Sequence, residues 1–268
     1  MRVEDLGTVQ GPVLAFGGPY SNLQATQAVL SEAARMGAQP LCTGDVVAYC
    51  GAPAATIAAV RAADTVVVAG NCERQLAAGA PDCGCGFEAG TTCDLLSAGW
   101  YGFATRQVGA ADRAWMETLP DFVTFRHAGL RWGVLHGGAT DVARFIWSSS
   151  DAAVLEAEWN TLEAATGPLD RVIAGHSGIP FVRPLPRGLW INAGVIGMPP
   201  HDGYSTTRYA LIDRGDVSVH TLSYDVAGAV ADMQAAGLTQ GYDRALQTGY
   251  WPSEDVLPPD LRLSLASG

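Results

Sequence analysis

The first third of the chain alternates short apolar runs with alanine-rich stretches, and this alternation limits the fold more than any other feature. "PVLAF" (12–16) leads to a helical pattern near residues 22 to 36, and "QPLCTGD" (39–45) to one near 53 to 63. "DTVVVAGN" (64–71) leads to a cysteine- and glycine-rich loop. Short β-type runs alternating with helices predict a sheet covered by helices. Helical segments follow around 93–104 and 110–118, and the chain then turns to β-character: "FVTFRHAGLRWGVLHGG", "DRVIAGHSG", "GLWINAG" and "LIDRGDVSVH". The last has the alternation and turn chemistry of a hairpin. A helix near 152–165 interrupts this half and another near 225–236 closes it. No linker, repeat or low-complexity tract divides the sequence, so one domain is expected over 1–268. It carries a helical cap segment at about 93–118 and a C-terminal helix and tail at about 225–268.

Composition narrows the function. All 16 basic residues are arginine, which excludes a lysine-dependent phosphate loop and a lysine Schiff base. A net charge of -11 without basic clusters repels a phosphate backbone, so nucleic acid is not an expected partner. The opening "MRVEDLGTVQGPVLAF" matches neither a secretory signal nor a membrane helix, so no membrane association and a cytoplasmic location are expected. In that compartment Cys42, Cys50, Cys72, Cys83, Cys85 and Cys93 are read as free thiols or metal ligands.

Four expected strands end in short polar clusters: "TGD" at 43–45, "GNCE" at 70–73, "LHGG" at 135–138 and "AGHSG" at 174–178. Ligands in open α/β sheets collect at the carboxyl ends of strands, so Asp45, Asn71, His136 and His176 are candidates to converge. One carboxylate, one amide oxygen and two imidazoles suit a divalent cation such as Mn, Fe or Zn.

These stretches resemble the calcineurin-like metallophosphoesterases, in their single-domain bacterial branch. "GGPYSNLQA" stands where that family has Gly/Ser-Asp-x-His-x-Asn-Leu, "TGDVVAYC" where it has Gly-Asp-x-x-x-x-Gly, and "GNCERQL" where it has Gly-Asn-His-Asp/Glu. "LHGG" and "GHSGIPFVR" match its Gly-His and Gly-His-x-His-x-Pro motifs, and "INAGVIGMPPHDG" its Asn-Pro-Gly-Ser-Val-Gly-x-Pro stretch. The resemblance implies a four-layer α/β/β/α sandwich of two mixed sheets. It also implies two adjacent metals, bridged by an aspartate and by hydroxide, that hydrolyse phosphate esters.

The departures fall on one side of that site. Gly18 occupies the family's first aspartate position, Tyr20 its first histidine and Gly178 its last histidine. Glycine supplies no donor and a neutral phenol is a poor substitute for imidazole, so these three are read as lost ligand positions. Asp45, Asn71, His136 and His176, the expected ligands of the other metal, are all present, which predicts one divalent ion. Cys72 stands where the family has the histidine thought to protonate the leaving group, beside Glu73, and these two are the catalytic candidates. Arg74, Tyr20 and Asn22 are candidates to touch substrate, with Arg144 a further phosphate or carboxylate partner. The leading expectation is a one-metal phosphoesterase-like hydrolase of low activity acting on a small phosphorylated molecule. The alternative is a degenerate metal- or ligand-binding protein of the same fold, in which the ring of Tyr20 fills the lost metal position. A third is altered chemistry using Cys72. A homo-oligomer is compatible with all three.

Overall fold

The computed structural model describes residues 1–263. The last five positions of the expected C-terminal tail lie outside the described residues. Strands β1 (Val3–Thr8), β2 (Val13–Phe16), β3 (Gln39–Cys42) and β4 (Val66–Val67) alternate with helices α1 (Leu23–Met36), α2 (Pro53–Ala62) and α3 (Asn71–Ala78). Helices α4 (Thr92–Gln107) and α5 (Ala110–Thr118) follow, then β5 (Phe122–His127) and β6 (Leu130–Val134). Helix α6 (Ala152–Thr166) precedes β7 (Arg171–Ala174), β8 (Phe181–Leu185) and β9 (Gly188–Asn192). The hairpin of β10 (Thr207–Asp213) and β11 (Asp216–Leu222) leads to α7 (Val226–Ala235) and α8 (Tyr242–Thr248). Among the described residues no helix is long and apolar enough to cross a membrane.

The strands form two mixed sheets, ordered β1-β5-β6-β7-β9-β8 and β11-β10-β2-β3-β4. Strand β2 shows why they stack. Its four residues are all buried, and successive side chains face opposite ways, so Val13 and Ala15 enter the space between the sheets while Leu14 and Phe16 face helices. Leu41 and Val68 join the inner layer from the same sheet, and Val123, Phe125, Trp132, Val134, Ile173 and Ile191 from the other. Val29 of α1, Ile57 of α2, Trp100 of α4 and Met233 of α7 cover the outer face of the five-stranded sheet. Leu155, Trp159 and Leu162 of α6 cover the six-stranded one against Leu135, Val172 and Trp190. The result is the expected α/β/β/α order.

One candidate takes another role and one local signal acts as read. Asn22 caps α1, its Oδ1 accepting from the Ala25 N–H at 3.0 Å. Arg214 and Gly215, both at positive φ, close the β10–β11 hairpin in two residues. Four elements depart from expectation, among them strand β8 and helix α8, which stand where none was read. The stretch after Val68 is a helix, α3, where a loop was expected, and the N-terminal residues form an edge strand, β1, pairing in parallel with β5.

The two sheets meet most closely at the ends of their parallel strands. A Cβ on Gly175 would lie 2.1 Å from Thr43 Oγ1, and one on Gly17 only 2.4 Å from the Gly194 carbonyl oxygen. The Thr43 hydroxyl itself has no hydrogen-bond partner. Gly175→Ala is therefore expected to cost about 1–3 kcal/mol of stability from overpacking. Adding Thr43→Ala should return at least about 0.5–1 kcal/mol, because the two positions are in contact. A double-mutant cycle on urea midpoints reads both terms, and strictly additive losses would mean that this junction relaxes freely.

Candidate metal centre

Each candidate side chain sits just past a strand end on that junction. Asp45 follows β3, Asn71 opens α3 beyond β4, His136 follows β6, and His176 follows β7. Two loops come from each sheet, and their polar atoms meet at the shared edge. His136 Nε2 lies 3.3 Å from Asp45 Oδ2, 3.1 Å from Asn71 Oδ1 and 2.9 Å from His176 Nδ1. The Asp45, His136 and His176 donor atoms all lie within 4.8 Å of one another, and all four residues are buried.

The surroundings fix which atoms face inward. His136 Nδ1 donates to the Thr43 carbonyl at 2.6 Å, which leaves the Nε2 lone pair toward the cluster. The Asn71 amide donates to the Cys83 carbonyl at 2.8 Å and to Cys85 Sγ at 3.3 Å, so its oxygen faces His136. Asp45 Oδ1 accepts from the Cys72 N–H at 3.3 Å, at the positive end of α3. The inward set is thus a carboxylate oxygen, an amide oxygen and two imidazole nitrogens, with more lone pairs than hydrogens to separate them. Such a set gains from added positive charge, from a proton or from a cation, and its mixture of donors fits a divalent metal. Burial opposes ionisation of Asp45, but His136 and His176 hold its carboxyl below the usual carboxylate range. Burial also depresses the basicity of His136, yet the Asp45 carboxylate outweighs it and the net direction is upward. At His176 burial prevails and the net direction is downward.

Backbone strain marks the same residues. Tyr20, Asp45 and His176 have φ of 52°, 57° and 62°, in the left-handed region that costs a non-glycine residue on the order of 1–2 kcal/mol.

Glu73 lies next to this cluster and serves it through the backbone. Its Oε2 accepts from the Asp45 N–H at 2.8 Å and the Gly70 N–H at 3.0 Å, and its Oε1 from the Val46 N–H at 2.8 Å. Burial and the nearby Asp45 carboxylate push its pKa up to about 7. Both carboxyl oxygens are committed, so Glu73 is a positioning residue. The Cys72 thiol is buried as well. A hydrogen bond with Cys85 lowers its pKa, but burial and the charges of Asp45, Cys83 and Glu73 carry it well above the ordinary thiol range. That environment favours a neutral thiol over a nucleophilic thiolate.

The substrate candidates separate. Tyr20 borders the cluster. Asn22 does not: its oxygen caps α1 and its amide donates to the Gly197 carbonyl at 3.2 Å. Arg74 turns outward to pair with Asp121, and Arg144 pairs with the buried Glu158, which also accepts the N–H groups of Ala139 and Thr140. Beside Asp45 and His176 lies instead a cavity of about 60 Å³, walled by the rings of Tyr20, Tyr49, Phe87, Phe145, Tyr242 and Trp251. Among the described residues lining it there is no arginine.

Two of those rings pack against glycines. A Cβ on Gly18 would lie 2.5 Å from Tyr20 Cζ, and one on Gly178 3.2 Å from Trp251 Cζ2. Trp251 is held there by its indole N–H, which donates to the Pro199 carbonyl at 2.7 Å. Its backbone N–H donates to His201 Nδ1 at 2.9 Å. His201 Nε2 in turn donates to Glu254 at 2.7 Å, so one ring ties residues 251 and 254 together beside the cavity. Sequence reasoning passed over Trp251, Tyr49, Tyr242 and Phe145 because nothing local distinguishes them from packing aromatics.

A model of the calcineurin-like phosphoesterase superfamily domain matches residues 20–216, starting two residues past Gly18. Among solved structures the chain is similar to a metallophosphoesterase from Sphaerobacter thermophilus, with a TM-score of 0.69 and 22% identity over 90% of this chain and 100% of that one. It is also similar to a hypothetical protein from Pyrococcus horikoshii OT3, with a TM-score of 0.73 and 16% identity over 90% of this chain and 99% of that one. At such identities these likenesses speak for the fold alone. No curated protein matches the sequence.

Glu73→Gln replaces one accepting oxygen by an amide donor that faces backbone N–H groups. It should lower stability by at least about 2 kcal/mol, read as a shift in the urea midpoint at constant slope. An unchanged midpoint would show that the Asp45 loop holds itself.

Proposed function

The chain belongs to the calcineurin-like phosphoesterase superfamily, and from that premise we propose a metal-dependent hydrolase of phosphate esters that works with a single divalent ion. Asp45, Asn71, His136 and His176 hold the ion. The observation that carries this reading is the meeting of the Asp45, Asn71 and His176 donor atoms around His136 Nε2, with Thr43, Cys83 and Cys85 fixing the ring and amide orientation. A divalent cation bound there polarises a phosphoryl oxygen and acidifies water. The second family position carries no ion, because Gly18 and Gly178 offer no donor and the rings of Tyr20 and Trp251 lie over them.

Charge selects among esters. Among the described residues that line the cavity there is no arginine to share the load of a dianion, so a monoanionic phosphodiester is preferred over a phosphomonoester. Turnover is slow, since one ion replaces the pair that normally generates the bridging nucleophile. A second reading, a binding protein of this fold without turnover, draws on the same missing arginines and on the closeness of the Tyr20 ring.

Metal analysis of the purified protein is expected to give one Mn, Fe or Zn per chain, and His136→Ala to remove it. With that ion present, bis(p-nitrophenyl) phosphate should be cleaved faster than p-nitrophenyl phosphate. One bound ion with no cleavage of either ester selects the binding reading, and no stoichiometric ion ends the hydrolase reading.

The paired change Gly18→Asp with Tyr20→His should move the stoichiometry toward two ions. Gly18→Asp alone should only destabilise the protein, because its Cβ meets the Tyr20 ring. Gly178→His is a poorer test, since φ at that position is +79° and Trp251 covers it.

A further inference from the structure

The aromatic cavity raises its own question: what fills the space beside Asp45 where a second ion would otherwise be accommodated? We propose that it is an organic-cation subsite, which takes a quaternary or methylated ammonium group. The phosphodiesters this protein accepts are then those of methylated amino alcohols. The last step rests on the one-ion reading above, whereas the subsite does not.

Four observations carry it. Six aromatic rings line the cavity, and neighbouring rings meet there at angles from tilted to nearly perpendicular. Tyr20 and Tyr49 lie 4.7 Å apart at 82°, and Tyr49 and Tyr242 lie 4.4 Å apart at 35°. Ring faces attract cations that lack strongly bound water, and attraction grows when the site is desolvated. Second, Asp45 is the acidic residue of the lining, and among the described lining residues there is neither arginine nor any other permanent cation. Burial also keeps the phenols of Tyr20, Tyr49 and Tyr242 protonated, so the rings enter as neutral faces.

Third, the size fits. A volume of about 60 Å³ is roughly four to six times what one ordered water requires, the scale of a nitrogen carrying three methyl groups. Fourth, a metal ion is ill served in the same place. Gly18 and Gly178 bring no donor atoms, and Val195 and Met198 add apolar surface. An alkylated ammonium needs none of those donors. Its charge answers Asp45 and its methyl groups answer the rings, while the phosphate of the same molecule reaches the neighbouring cluster through His176 and Asp45, which border both.

The test separates charge from shape by comparing choline with 3,3-dimethylbutan-1-ol, its neutral carbon counterpart. Calorimetric titration of the metal-free full-length protein should give choline about five- to thirtyfold tighter binding than the neutral alcohol. Tyr242→Phe should keep that ratio and Tyr242→Leu should reduce it severalfold. If the leucine variant does not fold, Trp251→Phe against Trp251→Leu makes the same comparison.

In metal-loaded protein, p-nitrophenyl phosphorylcholine should be cleaved with a lower KM than p-nitrophenyl 3,3-dimethylbutyl phosphate. Equal binding of choline and the neutral alcohol, or binding of neither, overturns the subsite. Preference for choline in the metal-free protein with no hydrolysis in the loaded one leaves the subsite standing and removes the hydrolase.

Discussion

The geometry of the centre depends on one buried carboxylate that touches none of its inward-facing donor atoms. Glu73 accepts three backbone N–H groups, from Asp45, Val46 and Gly70, and so joins the loop after β3 to the first turn of α3. Asp45 needs that support because its φ of 57° is costly for a side chain larger than glycine. Charge-assisted hydrogen bonds, worth roughly 1.5–3 kcal/mol each, are of the size required to hold it. Gly70 is fixed by the same contact: a Cβ there would lie 2.4 Å from Asp45 Oδ1 and 2.8 Å from Glu73 Oε2. Glu158 repeats the device on the opposite sheet, binding the Ala139 and Thr140 N–H groups just past His136. Two buried carboxylates hold the two loops that carry Asp45 and His136, Glu73 through both oxygens and Glu158 through one, its other oxygen taking the side chains of Thr140 and Arg144.

Much of this arrangement is legible in the sequence, and physical reasons separate what is from what is not. Asp45, Asn71, His136 and His176 can be found because each follows a short apolar strand, and the ends of neighbouring parallel strands converge whatever lies between them. The helix at Asn71–Ala78 is hidden by its glycine and cysteine surroundings, although Gly70 and Glu73 hold the spacing of a capping box. Strand β1 is hidden because its side chains are mostly exposed, so it lacks the apolar signal on which strands are recognised.

The site residues divide in the same way. A motif gives the position of a side chain and not its partner, so Asn22 and Arg74 were legible as neighbours of the site but not as an α1 cap and a surface ion pair. Glu73 was legible as part of the GNCE motif, whereas its commitment to three N–H groups is a property of folded backbone. The cavity is the least legible feature. Trp251 and Tyr242 reach it from the far end of the chain, and their selection rests on contacts with Pro199, His201 and Tyr49 that no local pattern encodes.

Under the one-ion reading, the pairing of glycines with rings bears on how the second position came to be filled. Simple loss of a ligand leaves a hole, since a deleted side chain is seldom refilled by relaxation alone. Here the place of a Cβ at Gly18 is already taken by the ring of Tyr20 and by Val195, and the place at Gly178 borders the Trp251 ring. Trp251 is in turn secured by Pro199 and by a histidine at φ 62° whose other nitrogen is bound to Glu254. Neither glycine can accept a side chain without moving an aromatic group that other residues hold in place. The glycines and the rings are therefore one packing solution. Under the one-ion reading, the second position is an apolar wall, while the loops carrying Asp45 and His176 keep their left-handed backbone.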